Sequence, residues 1–189
     1  MSVLTATGVG VRHRRRWLFR DLDLRVEPGE VVAVVGPPGS GRTTALLALA
    51  GRMRLSAGKV EIPGTAALGH VPDVSQPEPV FTVGEHVRER QALLGRVPGE
   101  VRLHGLDPAV KGWQLSPYQR QVLGVVLADL ADPQLIALDG VDEGLDAGER
   151  DALWGVLAGL AERGVAVLVT AREVDENRIT TLVQLGEQS

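Results

Sequence analysis

Short apolar runs alternate with amphipathic stretches along the chain, and that alternation predicts the fold. Val31–Val35, Leu135–Leu138 and Val165–Thr170 are continuous apolar runs, the pattern of strands covered on both faces. Helical spacing marks Thr43–Met53, where Leu46, Leu47, Leu49, Ala50 and Met53 recur, then Ser116–Ala131, stopped before Pro133, and Gly148–Arg163. Thr82–Leu94 reads as a further helix, with Thr82 as cap and Glu85 three residues on, the spacing of a capping box. Near the start, Val3–Val11 and Leu18–Val26 flank the basic, turn-like Arg12–Arg16 segment, which predicts an antiparallel opening. Val60–Ile62 and Ala66–Val71 predict short strands around Pro63-Gly64, and Thr181–Leu185 a last one. "PDVSQPEP" is loop, and Gly95–Gln114, rich in Gly and Pro, is expected to be a small, mostly helical or irregular segment. Strands alternating with helices imply an α/β fold, a mostly parallel sheet with helices on both faces.

Composition narrows this picture. A chain of 189 residues with 44% hydrophobic content suits one domain with a real core, expected over residues 1–189. Its net charge of −4 offers nucleic acid no overall attraction, and Arg12, Arg14, Arg15 and Arg16 read as a solvated hairpin face, so no nucleic-acid partner is expected. The absence of cysteine excludes disulfides and thiolate metal sites and fits a reducing, cytoplasmic compartment. The longest apolar piece, Val122–Leu130, is interrupted at Asp129 and reads as a buried helix. It falls well short of the ~20 apolar residues that span a bilayer. No secretory signal pattern opens the chain. Work at a membrane therefore requires another chain to do the spanning.

Candidate chemistry centres on "VVGPPGSGRTT", Val34–Thr44, between a buried strand and a helix start. The form G-x-x-x-x-G-K-[ST] is met except that Arg42 stands where lysine belongs. Backbone N–H groups at a helix N-terminus cradle anions, because the first turn's donors are otherwise unpaired. Gly36, Gly39, Ser40, Gly41, Arg42, Thr43 and Thr44 are thus the candidate nucleotide-binding residues. Thr43 is placed to offer its hydroxyl to magnesium. Guanidinium keeps the charge of lysine but is larger, planar and forked. The plainer reading is a glycine-rich turn that binds nothing. Asp139, at the carboxyl end of a buried strand, lies where open α/β sheets bind ligands and is placed to hold magnesium through water.

Taken in order, the motifs resemble the nucleotide-binding subunit of an ATP-binding cassette (ABC) transporter nearly end to end. "RDLDLRVEPGEVVAVVGPPGSGRTT" is similar to the family's entry strands and Walker A loop, "LALAGRM" and "SAGKV" to its next helix and turn, and "FTVGEHV" to the start of its helical insert. "LSPYQR" stands at the signature, "LIALDG" at Walker B, "EGLD" at the D-loop and "VLVTARE" at the switch segment. The resemblance implies a P-loop NTPase fold with a mostly parallel central sheet, an N-terminal antiparallel β part and a short helical insert over roughly residues 81–130. It implies ATP and Mg2+ as cofactors.

Departures fall where that family does its chemistry. The glutamate expected after the Walker B aspartate is Gly140, with Asp142 or Glu143 as substitute bases displaced along the loop by as much as about 10 Å, or simply exposed loop acids. The switch histidine corresponds to Ala171. The Q-loop glutamine falls near Asp73, otherwise a turn residue, or at Gln76 if the loop is shifted. The adenine-stacking aromatic aligns near His13, with Trp17 as the alternative, and either equally well packs on the sheet. At the signature, Pro117 has no N–H and Tyr118 is bulky where two glycines are expected, leaving Ser116 and Gln119 as contacts or as a plain helix cap.

The pattern of losses implies a cassette that binds MgATP at a variant Walker A loop with weak or absent hydrolysis, a pseudo-ATPase. Its implied partners are a separate membrane-spanning permease chain and a second cassette, paired head to tail as a homodimer or heterodimer, at the inner face of the membrane. Two readings stand beside it: an active ATPase subunit energising transport, and a soluble nucleotide-sensing or scaffold module without a membrane partner.

Overall fold

The computed structural model describes residues 1–97 and 99–186; residue 98, inside the Gly95–Gln114 segment, and residues 187–189 lie outside the described residues. The chain opens with β1 (Leu4–His13) and β2 (Arg16–Val26), paired antiparallel around the arginine-rich turn as the pattern predicts. Strand β4 (Ala57–Glu61) joins the other edge of β1 to complete a three-stranded sheet, order β2-β1-β4. The second sheet contains β3 (Val31–Val35), β5 (Ala66–Leu68), β6 (Leu135–Leu138), β7 (Ala166–Ala171) and β8 (Thr181–Gln184) in the order β5-β6-β7-β3-β8, with every pairing parallel.

Every residue of β3, β6 and β7 is buried, because this sheet is covered on both faces. Val32, Val34, Ala137 and Leu168 point to one side, into a core shared with α1 (Arg42–Leu49) and the antiparallel sheet. Ala33, Ile136, Leu138 and Val167 point to the other, against α3 (Pro117–Asp129) and α4 (Ala147–Glu162). Helix α2 (Val83–Leu93) starts at Thr82 with the predicted capping box: Glu85 N–H donates to the Thr82 hydroxyl and Thr82 N–H to the Glu85 carboxylate. A single 3-10 turn, Gly112–Gln114, is the helical content of the described part of Gly95–Gln114.

Three boundaries lie three or more residues from the sequence pattern, one of them the end of β5, at Leu68 rather than Val71. Helix α1 ends at Leu49 rather than Met53, because Gly51 turns left-handed (φ 69°) and the Arg52 N–H closes on Leu47 O at 2.7 Å, the bond pattern of a glycine-terminated helix. Met53 is therefore exposed. Strand β4 begins three residues earlier than Val60, at Ala57, where Gly58 (φ 75°) lets it lie against the backbone of Gly8.

Helix α3 sits closest to the sheet at Gly124, where an added Cβ would lie 2.3 Å from His70 N and 2.9 Å from Gly69 C. Backbone on both sides leaves nothing that can rotate away. Gly124→Ala is expected to lower the unfolding free energy by about 1–3 kcal/mol through overpacking, although alanine is the better helix former by about 1 kcal/mol. Urea denaturation measures this, and an unchanged or raised midpoint would refute the close approach.

Candidate functional site

The carboxyl ends of β3, β6 and β7 meet at one edge of the parallel sheet, and the predicted site residues follow them. After β3 the loop from Gly36 folds tightly on itself: a Cβ on Gly36 would lie 2.5 Å from Ser40 Oγ and 2.7 Å from Leu185 O. Gly39 (φ 80°) has nothing within 4 Å of its virtual Cβ, and Gly41 (φ 88°) backs onto Leu18. The first α-helical bond of α1 is Ala45 N–H to Gly41 O, 2.8 Å. The first-turn N–H groups of Arg42, Thr43 and Thr44 precede it and point along the helix axis. Helices α2, α3 and α4 each close their N-termini with a side-chain capping box, but α1 begins at Gly41 with no side-chain cap.

Asp139 is the hub. It is buried, and its carboxylate accepts the Thr43 hydroxyl at 2.8 Å and the Thr170 hydroxyl at 2.5 Å. The two predicted magnesium ligands, Thr43 and Asp139, are thus in direct contact. Thr170 Oγ1 in turn accepts the Gly140 N–H at 2.8 Å, and Gln121 Nε2 donates to Asp139 O at 2.7 Å. Asp139 N–H donates to His70 O at 2.9 Å. Two residues beyond the Leu68↔Ala137 register and one beyond Leu138↔Val169, these bonds align the row His70, Asp139, Thr170 across three strand ends. Thr170, Gln121 and His70 were not singled out by the sequence, which showed only apolar strand and helix patterns around them.

Beyond Asp139 the loop turns at Gly140 (φ 62°), closed by Glu143 N–H to Gly140 O at 3.0 Å. This turn brings Glu143 back over Gly140: its Cδ lies 3.1 Å from a virtual Cβ on Gly140. Glu143 Oε1 faces Arg42 Nη2 at 3.4 Å and Arg172 Nε at 3.8 Å. Asp142 does not join it; its Oδ2 accepts the Arg172 N–H at 3.0 Å. Ala171 ends β7 buried, with a side chain that offers no hydrogen bond.

The remaining predicted residues lie outside the Asp139 hydrogen-bond hub. Ser116 and Gln119 are engaged with one another as the capping box of α3, at 3.2 and 3.0 Å, and Pro117 packs on Gly144. His13 is exposed at the tip of the β1–β2 hairpin, opposite Arg16, while Trp17 lies under the Arg12 guanidinium, 5.6 Å from its ring centre. Asp73 is exposed in a left-handed turn (φ 61°) and Gln76 lines a separate groove beside α2.

The residues present fit an anionic ligand with a metal. Ser40 Oγ and Arg42 Nη1 are buried without a hydrogen-bond partner among the described residues, beside first-turn N–H groups that have no side-chain cap. No cluster of three His, Cys, Asp or Glu able to hold a metal occurs among the described residues, so Thr43 and Asp139 suit a magnesium ion completed by ligand phosphate and water rather than a protein cage. Burial first, then the nearby Arg120 charge, holds His70 below its ordinary value of 6.5, with Asp139 opposing. Burial and Arg102 do the same to His104, which lies with Arg163 against α4.

The chain is similar to known proteins. The profile of the family described as ABC transporter matches residues 19–142. The zinc import ATP-binding protein ZnuC of Jannaschia sp. (strain CCS1) is 31% identical over 182 residues, covering 92% of this chain and 74% of its own length. The aliphatic sulfonates import ATP-binding protein SsuB 1 of Rhodococcus jostii is 33% identical, with 92% and 74% covered. Among solved structures, a dimeric bacterial ABC transporter cassette superposes with a TM-score of 0.78 at 20% identity, covering 97% of this chain and 94% of that one. A dimeric cassette bound to ADP and Pi gives 0.74 at 20%, with 93% and 90% covered. These structures establish the P-loop α/β fold with its antiparallel β part.

Two outcomes follow from this geometry. Thr170→Val keeps the shape but strands the Asp139 carboxylate and the Gly140 N–H, so unfolding free energy should fall by about 1–3 kcal/mol; no loss in denaturant titration would refute the hub. His70 and His104 are both depressed below 6.5, so the unfolded chain binds more protons below that pH. Stability that is full above 6.5 should therefore be lost as pH falls through the folded values, well before the lowered Glu27 and Glu85, ordinarily 4.5, contribute. A His70→Gln, His104→Gln variant should show a shallower decline, and a slope equal to that of the parent chain would refute the assignment.

Proposed function

The chain belongs to the ABC transporter family as a nucleotide-binding subunit, and on that premise we propose that it binds MgATP on the Gly36–Thr44 loop with weak or absent hydrolysis. The observation that carries the binding half is the Thr43 hydroxyl on Asp139 beside the side-chain-uncapped N-terminus of α1. In this reading the first-turn N–H groups and Arg42 hold phosphate oxygens, and Thr43 and Asp139 hold magnesium, Asp139 through water. The bound metal would supply charge neutralisation and polarisation of the phosphates. What supports slow chemistry is the residue set: Gly140 has no group to accept a proton, Ala171 none to hold the terminal phosphate, and Pro117 no N–H to offer across a pair.

Pairing with a second cassette, as homodimer or heterodimer, and docking to a membrane-spanning permease belong to the same reading. No helix among the described residues is long and apolar enough to cross a membrane, so a permease would provide the crossing and bring this chain to the inner face. A groove of about 490 Å³ beside α2, lined by Gln76, Val80, Phe81, His86 and Leu93, suits a permease segment; Val80 and Leu93 are 64% and 74% exposed. The cargoes named for the two relatives, zinc and aliphatic sulfonates, have no chemistry in common, which supports leaving cargo choice to the partner.

One observation favours an active ATPase instead: Glu143 lies over Gly140. Calorimetric titration with ATP and magnesium separates the readings. Saturable binding without continuing heat is expected, with the magnesium-dependent affinity falling roughly tenfold in Asp139→Asn. Sustained heat abolished by that substitution would establish the active enzyme, and no binding would leave a scaffold.

A further inference from the structure

Glu143 folds back over Gly140, whose positive φ (62°) turns the loop. A Cβ on Gly140 would lie 3.1 Å from Glu143 Cδ and 3.3 Å from Oε2, so a side chain there would press on the carboxylate and displace it by a few tenths of an ångström. Both of its ion pairs are slack. Arg42 Nη2 stands 3.4 Å away and Arg172 Nε 3.8 Å away, whereas charge-assisted N–H···O bonds run to about 2.7–2.9 Å. Arg42 is only half used: its side chain is 12% exposed, and Nη1 is buried without a partner among the described residues. A forked guanidinium at this position is therefore held at one edge by an internal anion, with the other edge unsatisfied beside the phosphate loop.

We propose that Glu143 is the affinity-setting residue of the phosphate loop: its carboxylate holds Arg42 in the nucleotide-free chain and is exchanged for phosphate oxygens when a polyphosphate binds. This rests on reading Gly36–Thr44 as a phosphate loop. Glu143 and an incoming phosphate carry like charges and compete for one guanidinium. A long, slack pair is cheap to exchange, and Arg172, already facing the same oxygen, keeps a cation on Glu143 after Arg42 leaves. The two neighbours of Glu143 thus act with opposite sign: loss of the carboxylate frees Arg42 for the ligand, and loss of Arg172 ties Glu143 more tightly to Arg42. The competition concerns the phosphate chain alone, so it acts equally on ATP and on inorganic tripolyphosphate and leaves adenosine untouched.

The test is calorimetric titration of the full chain and its variants with MgATP, magnesium tripolyphosphate and adenosine, at low and high salt. Glu143→Gln is expected to bind both polyphosphates about 1.4- to fivefold tighter, the range set by a partly exposed pair, with the gain shrinking as salt screens it. Arg172→Ala should bind them more weakly. In an Arg42→Ala background the effect of Glu143→Gln should vanish, which a merely structural role for Glu143 would not produce. Equal or weaker binding by Glu143→Gln, or a gain that persists without Arg42, overturns the inference while leaving the phosphate loop in place. Binding of neither polyphosphate by parent chain or Glu143→Gln overturns the phosphate-loop reading itself, and the inference with it.

Discussion

A buried carboxylate needs donors to offset its lost hydration, and Asp139 draws them from separate parts of the chain. Thr43 comes from the first turn of α1 and Thr170 from the end of β7. Its main chain is gripped as well, the N–H by His70 O and the carbonyl by Gln121 from α3. Strand ends, the first turn of α1 and helix α3 are therefore located with respect to one residue. The glycine loop and the 140–143 turn take their places from that arrangement, since the Gly140 N–H also ends on Thr170 Oγ1.

Much of this was legible because it is local. Buried strands announce themselves as unbroken apolar runs, and β3, β6 and β7 lie where those runs do. Capping boxes need only residues three apart, so the starts of α2 and α3 could be read directly. The glycine-rich loop between β3 and α1 was legible for the same reason, its glycines, hydroxyls and cation being consecutive. Thr43 beside Asp139 followed from a rule about strand ends in α/β sheets rather than from any nearby pattern.

What stayed hidden depends on register or on φ. Gln121 reads as one polar residue in an apolar helix, and its hold on the 139–140 carbonyls appears only when α3 is docked. His70 and Thr170 meet Asp139 because parallel pairing carries three strands to the same height, which spacing along the chain does not encode. Gly140 was legible as a missing carboxylate, but its positive φ, which folds the following turn back and seats Glu143, was not. The overrun of α1 to Met53 has a simpler cause: the apolar spacing continues through Gly51, while the backbone bonds of the helix do not.

The near-contact of Gly124 with the backbone of His70 carries a mechanical meaning. Two main chains that meet with no side chain between them have no rotamer to absorb sliding or tilt. A few residues toward the N-terminus of the same helix, Gln121 is tied to the carbonyls of Asp139 and Gly140. Helix α3 is thus fastened to the sheet edge at two points, like a lever pinned twice. A push arriving at its Ser116 end has no slack in which to dissipate before it reaches the strand ends that hold Asp139.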